Sequence, residues 1–131
     1  MAYLRPGFFI RRIANPLARL FGAATTLAVR RRNTGDWQTI PVNVLELDGQ
    51  RYLMAVRGET EWVRNLRAAG GGELRRRRKV EPFRVAEEIT DPDVRARIIG
   101  AYLDRWGRQV KAQFEQLPDP ADHPVFRIES A

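Results

Sequence analysis

The side chains able to do chemistry in this 131-residue chain are mostly arginines, and they fall in clusters. Arg30-Arg31-Arg32 runs directly into Asn33-Thr34-Gly35. Turn chemistry there exposes backbone N–H groups beside positive charge, which is the makeup of a phosphate nest or of an ordinary hairpin turn. Arg57-Gly58 stands just ahead of Thr60-Glu61-Trp62-Val63-Arg64-Asn65-Leu66. Glycine at that point lets backbone approach a ligand, and the start of a helix favours an anion. Trp62 and Asn65 are three residues apart and share a helix face. The densest run is Arg75-Arg76-Arg77-Arg78-Lys79. As a strand it turns 75, 77 and 79 one way and 76 and 78 the other, so neither face enters an apolar core. It reads as a solvated edge strand, charged against aggregation. As a nucleic-acid contact it lacks interleaved aromatics, since Trp37, Tyr52 and Trp62 all lie outside it.

Other chemistries are excluded by what is missing. There is no cysteine, so disulfides, thiol catalysis and cysteine-ligated metals are ruled out. The one histidine, His123, cannot make a His-rich metal centre, and its place among prolines and acids reads as structural. No metal site is expected. Glu87-Glu88 has no companions arranged for acid–base work. Lys+Arg is 23 against 16 Asp+Glu, a net charge of +7, and only Lys79 and Lys111 are lysine. Arginine is the better fork for phosphate and carboxylate, so the charge favours an anionic partner.

These residues need elements to position them. A content of 44% apolar and 30% charged residues in 131 suits one folded domain spanning 1–131. The longest charge-free stretch, Leu20 to Val29, is about half of the roughly 20 residues a membrane span requires. Arg19 and Pro16 interrupt any signal-peptide core, so the expected location is the cytoplasm. Phe9, Ile13, Leu17 and Leu20 recur at helical spacing within Pro6 to Phe21, among Arg5, Arg11, Arg12 and Arg19. This basic amphipathic segment could pack on its own domain, on a dimer partner or on a membrane surface.

Thr25 to Arg31 alternates as a strand and ends in the Asn33–Asp36 turn. Trp37 to Leu47 reads as one long strand, with Ile40, Val42 and Val44 on one side. Asp48-Gly49 is a hairpin turn, and Tyr52 to Val56 is the return strand, completing a meander. Thr60 then caps a short helix that the glycines 70–72 end. Glu73–Lys79 and Val80–Thr90 follow as strands, the second with Phe83, Val85 and Ile89 on one face. Asp91-Pro92 opens a longer helix whose buried stripe is Val94, Ile98, Tyr102, Leu103 and Trp106. Val110, Phe114 and Leu117 continue helically, Pro118–Pro124 is a loop, and Val125–Ile128 is a last strand. Strands with helices set between and after them argue an α+β fold around a small antiparallel sheet or barrel.

Two stretches carry a resemblance. Arg32-Asn33-Thr34-Gly35-Asp36-Trp37-Gln38-Thr39-Ile40-Pro41-Val42 is similar to the Arg-Lys-Ser-Gly…Arg-Thr-Thr-Pro-Leu stretch of the deazaflavin-dependent nitroreductase family. Tyr52-Leu53-Met54-Ala55-Val56-Arg57-Gly58, followed by Trp62-Val63-Arg64-Asn65-Leu66-Arg67-Ala68, resembles that family's strand, glycine loop and Trp-x-x-Asn-Leu helix. The order of elements agrees as well. The resemblance implies a split β-barrel of six or seven antiparallel strands, with an N-terminal helix near 8–20, a short helix near 60–69 and a longer one near 91–106. It implies binding of a deazaflavin coenzyme (F420) in preference to FMN, and hydride transfer to a small quinone- or nitro-type acceptor. The coenzyme-binding residues it implies are Arg32, Asn33, Thr34, Gly35, Gln38, Pro41, Ala55, Arg57, Gly58, Trp62, Val63 and Asn65, with Tyr102 as a proton donor. The family's lysine falls on Asn33 and its second arginine on Gln38, so the charge must come from Arg30, Arg31, Arg32 or Arg57. Such a cofactor carries its own hydride chemistry, which agrees with the absence of a catalytic triad. A homodimer fits the same picture. The other classes are a basic nucleic-acid module, marked by salt-dependent binding, and a non-catalytic ligand- or lipid-binding barrel.

Overall fold

Asp48 and Gly49 both take positive φ, 53° and 75°, and join Leu45–Leu47 (β3) to Gln50–Met54 (β4) by a two-residue turn. That is the mirror-type turn whose twist matches paired strands, as the Asp-Gly pair predicts. The computed structural model describes residues 25–131, so the helix expected over Pro6–Phe21 lies outside the described residues. The remaining elements are β1 (Thr25–Arg30), β2 (Trp37–Val42), α1 (Glu61–Ala69), β5 (Gly71–Arg76), β6 (Lys79–Glu88), α2 (Pro92–Trp106), α3 (Lys111–Gln116) and β7 (Val125–Ser130). A short 3-10 turn, Pro120–Asp122, precedes β7. Among the described residues no helix is long and apolar enough to cross a membrane.

The seven strands form one antiparallel sheet in the order β2-β1-β5-β6-β7-β4-β3. β2 and β3 lie at opposite edges, yet only Asn43 and Val44 separate them. Three Cα steps reach at most about 11 Å. The two edges therefore stand side by side, and the sheet curls into a split barrel. The single strand expected over Trp37–Leu47 is thus two strands, and the expected meander is two hairpins on opposite edges. Alternation continues unbroken across the corner, with Ile40, Val42 and Val44 all against the barrel core, so nothing in the pattern marks the break.

Alternate residues of the same strands feed two cores. Leu27, Val29, Leu53, Ala55, Leu74, Phe83, Phe126 and Ile128 meet Trp62, Val63 and Leu66 of α1 in the first. Tyr52, Met54 and Val125 meet Ile98, Ile99 and Tyr102 of α2 in the second. β4 is covered on both faces, which accounts for its run of consecutive apolar residues. Ile89 does not share a face with Phe83 and Val85. A bulge between Val85 and Glu87 shifts the register against β7, and Ile89 joins the second core. Val94, expected in the buried stripe of α2, is 41% exposed, and Ile99 is buried instead. Asp91 caps α2 by accepting from the N–H groups of Asp93 and Val94.

The arginine run is a hairpin and not an edge strand. Arg75 and Arg76 end β5, Arg77-Arg78 is the turn, and Lys79 begins β6. β5 lies inside the sheet between β1 and β6. Gly70 closes α1 at φ 73°, while Gly71 and Gly72 belong to β5. A Cβ on Gly72 would run into the Ala28 carbonyl oxygen, so the close approach of β5 to β1 requires glycine.

The base of this hairpin carries an ion pair with a readable pH signature. Arg51 donates to both oxygens of Glu81 at 3.0 and 2.6 Å, and the Ser130 hydroxyl donates to the same carboxylate at 2.8 Å. The bonds from Arg51, then from Ser130, hold the Glu81 carboxyl down to about 2. A depressed carboxylate contributes stability above its unfolded value of about 4.3 and loses it as pH falls toward the folded value. The melting-temperature gap between wild type and Glu81→Gln should be full at pH 7 and close as pH drops from about 4.5 to about 2. A gap that stays constant to pH 2 would rule out this pair as its source.

Candidate coenzyme site at the start of helix α1

The turn after β1 is closed by its own backbone. Arg31 N–H donates to the Asp36 carbonyl at 2.7 Å, Gly35 N–H to the Arg31 carbonyl at 2.9 Å, and Asp36 N–H to the Thr34 hydroxyl at 3.3 Å. Gly35 takes φ 79°, which favours glycine. Arg30 bonds the Gly35 carbonyl and stacks on Trp37, 3.9 Å from the ring centre. Of the N–H groups in Asn33-Thr34-Gly35 that the nest reading needed free, that of Gly35 is used. Those of Asn33 and Thr34 make no bond within the protein among the described residues.

Asn65 ties this turn to α1. Its Oδ1 accepts from the Arg32 backbone N–H at 3.1 Å and from Arg32 Nη1 at 2.8 Å. Its Nδ2 donates to Gln38 Oε1 at 2.8 Å. Asn65 is buried, and both ends of its amide are satisfied. Three residues singled out in the sequence, Arg32, Gln38 and Asn65, are thereby in one network. The sequence reading missed the fourth member. Arg32 Nη1 also donates to Glu61 Oε2 at 2.9 Å, and this bond draws the Glu61 carboxyl below its usual range. Glu61 stands in the first turn of α1, and its partner is 29 residues away in sequence. Arg32 is consequently not a spare cation.

Arg57 is. It follows Ala55, whose N–H donates to the Pro124 carbonyl at 2.8 Å, and precedes Gly58 at φ 83°. The side chain is half-buried, and among the described residues no carboxylate or hydrogen-bond acceptor pairs with it. Burial alone lowers its pKa from the ordinary guanidinium value. The neighbouring Glu59 cannot compensate it, being held by Arg67 at 2.6 and 2.8 Å. Thr60 occupies the N-cap position of α1, but its hydroxyl does not cap the helix as the sequence suggested. Thr60 Oγ1 is buried with no hydrogen-bond partner among the described residues. A half-buried unpaired cation and an orphaned hydroxyl, at a helix start without a side-chain cap, fit an anionic ligand group.

The other expected residues fall elsewhere. Ala55, Trp62 and Val63 are buried in the first core, where Trp62 packs at 6.3 Å from Phe126. Asn33, Thr34 and Pro41 are exposed, Pro41 on the edge strand β2. Tyr102 is in the second core, its ring tilted 52° against that of Trp106 with centres 4.8 Å apart, and its hydroxyl accepts from Asn43 Nδ2 at 3.1 Å. Burial raises its pKa, so it holds its proton. No hydrogen bond among the described residues connects it to the Arg32–Asn65 network.

No family model and no curated protein sequence matches the chain. Solved structures do. An F420 reductase superposes with a TM-score of 0.56 at 13% identity, covering 82% of this chain and 85% of its own. An F420-H2 dependent reductase gives 0.55 at 18% identity, covering 81% and 94%. A chain described as a domain-swapped dimer gives 0.59 at 14% identity, covering 91% and 98%. At these identities the likeness establishes the fold alone, a split barrel.

Proposed function

We propose that this chain is a deazaflavin-dependent oxidoreductase that passes hydride between the reduced coenzyme and a small quinone- or nitro-type acceptor. The observation that carries the reading is Arg57, a half-buried guanidinium without a counter-charge among the described residues. Leaving such a group unpaired is costly, so its presence beside Gly58 and the start of α1 argues for an anion supplied from outside. The fold shared with F420 reductases says which anionic ligand to test first. When bound, the coenzyme would supply the hydride chemistry. The chain's own residues would bind and orient it. Arg57, the Thr60 hydroxyl and the α1 N-terminus would hold anionic groups, with the N–H groups of Asn33 and Thr34 as further donors. The Arg32–Asn65–Gln38 network would keep the turn pressed against α1. A homodimer is part of the proposal, since one structural neighbour is described as a domain-swapped dimer.

Titration of the purified protein with the deazaflavin coenzyme, FMN and haem in parallel tests the reading. Micromolar or tighter binding is expected for the deazaflavin, and little for FMN. Should neither flavin type change fluorescence or melting temperature, the oxidoreductase reading fails and the non-catalytic carrier reading replaces it.

A further inference from the structure

The hairpin joining β5 and β6 has a turn of poor local chemistry. Arg76 pairs with Lys79 across the two residues Arg77-Arg78. Two-residue hairpins favour positive φ at the turn, and Asp48-Gly49 supplies it in the β3–β4 hairpin. Asp48 is the one non-glycine residue with positive φ among the described residues, so Arg77 and Arg78 do not. Their turn matches the strand twist less well, and neither residue is one that turns select. Arg75 meets Glu73 at 2.9 Å and Arg76 meets Glu81 at 3.8 Å, but Arg77, Arg78 and Lys79 have no acidic or hydrogen-bonding partner among the described residues. All three are exposed. Beside them stands Val80, 55% exposed and the most exposed large apolar residue described.

The tip also adjoins the point where residues 1–24 enter the fold. Thr25 is the register partner of Arg76, and Arg76 Nε donates to its hydroxyl at 3.1 Å. Residues 1–24 carry Arg5, Arg11, Arg12 and Arg19, no acid, and the apolar residues Phe8, Phe9, Ile13, Leu17 and Leu20. Thr25 and the hairpin tip thus stand at the same end of the barrel. The Arg32 turn and the start of α1 are at the other end, since the six residues of β1 separate Thr25 from Arg30 by about 17 Å.

We propose that the Arg77-Arg78-Lys79-Val80 tip docks on an anionic lipid surface. Arginine forks engage lipid phosphates, Val80 enters the headgroup region, and the coenzyme end points away from the bilayer. An RNA partner is disfavoured because the tip has cations without a stacking aromatic. The weak turn is the cost of placing two arginines at its apex.

The test variant is Arg77→Asn/Arg78→Gly in the full chain. It removes two charges and installs the favoured turn, so it should melt at a higher temperature than wild type while binding lipid less. Sedimentation with vesicles of phosphatidylcholine containing about a third phosphatidylglycerol should show about a thirtyfold weaker partition for the variant, at roughly 1 kcal/mol per basic residue. Val80→Ser should weaken it several-fold. Pure phosphatidylcholine vesicles should bind neither protein. Equal partition of wild type and the folded variant on anionic vesicles overturns the proposal. So does a wild type that ignores vesicles but binds polyuridylate through the same arginines.

Discussion

Arg57→Ala is expected to weaken deazaflavin binding by about tenfold to a hundredfold. A hydrogen bond to a charged group is worth about 1.5–3 kcal/mol, and each 1.4 kcal/mol is a factor of ten. Stability should change little or rise, because the removed cation is half-buried and unpaired among the described residues. Arg32→Ala is a different experiment. It removes the partner of Glu61 and Asn65, so its effect comes through loosening of the turn from α1. Glu61→Gln supplies a change of opposite sign. It takes a negative charge from the helix start and frees Arg32, and should tighten coenzyme binding by about two- to fivefold. Arg76→Ala/Arg78→Ala should leave coenzyme binding alone, because that hairpin tip is at the far end of β1. Affinities measured at one fixed salt concentration decide among these. Loss of binding in the hairpin variant with none in Arg57→Ala would move the anion site to the wrong end of the barrel for this proposal.

The second large effect is expected at His123, which is fully buried. Its Nδ1 is 3.0 Å from the Ala55 carbonyl oxygen and its Nε2 is 2.6 Å from that of Leu117. The ring stacks on Phe114 with centres 4.0 Å apart and planes 12° from parallel. Whichever nitrogen donates, His123→Ala strips a buried carbonyl of its donor and opens a cavity beside Phe114. Losing a buried hydrogen bond costs about 1–3 kcal/mol, and the cavity adds to it. We expect a loss of about 3 kcal/mol, or roughly 10 °C in Tm for a chain of this size. Because only Val56 separates Ala55 from Arg57, coenzyme binding should also weaken at temperatures where the variant is folded. A thermal unfolding shift under about 2 °C would mean that these contacts do not hold the loop.

The local elements were legible in the sequence, because they depend on neighbours a few residues apart. Asp48-Gly49 dictates its own turn, Asp91-Pro92 starts α2, and Trp62, Val63 and Leu66 mark the buried face of α1. The positive charge and the absence of cysteine are properties of composition, and they pointed to an anionic partner before any fold was known. Three other matters were decided only by tertiary structure. The break at Asn43-Val44 exists because a curling sheet brings its two edges together, while the alternation on either side stays in phase. The bulge after Val85 turns Ile89 into the second core, and only the pairing with β7 reveals it. The roles of the arginines depend on carboxylates distant in sequence. Arg32 is taken by Glu61, Arg51 by Glu81 and Arg67 by Glu59 and Glu88, whereas Arg57, like Arg64, is partly buried and unmatched among the described residues. Charge is a property of the residue, but whether it is spent on the fold or kept for a ligand depends on what the folded chain sets beside it.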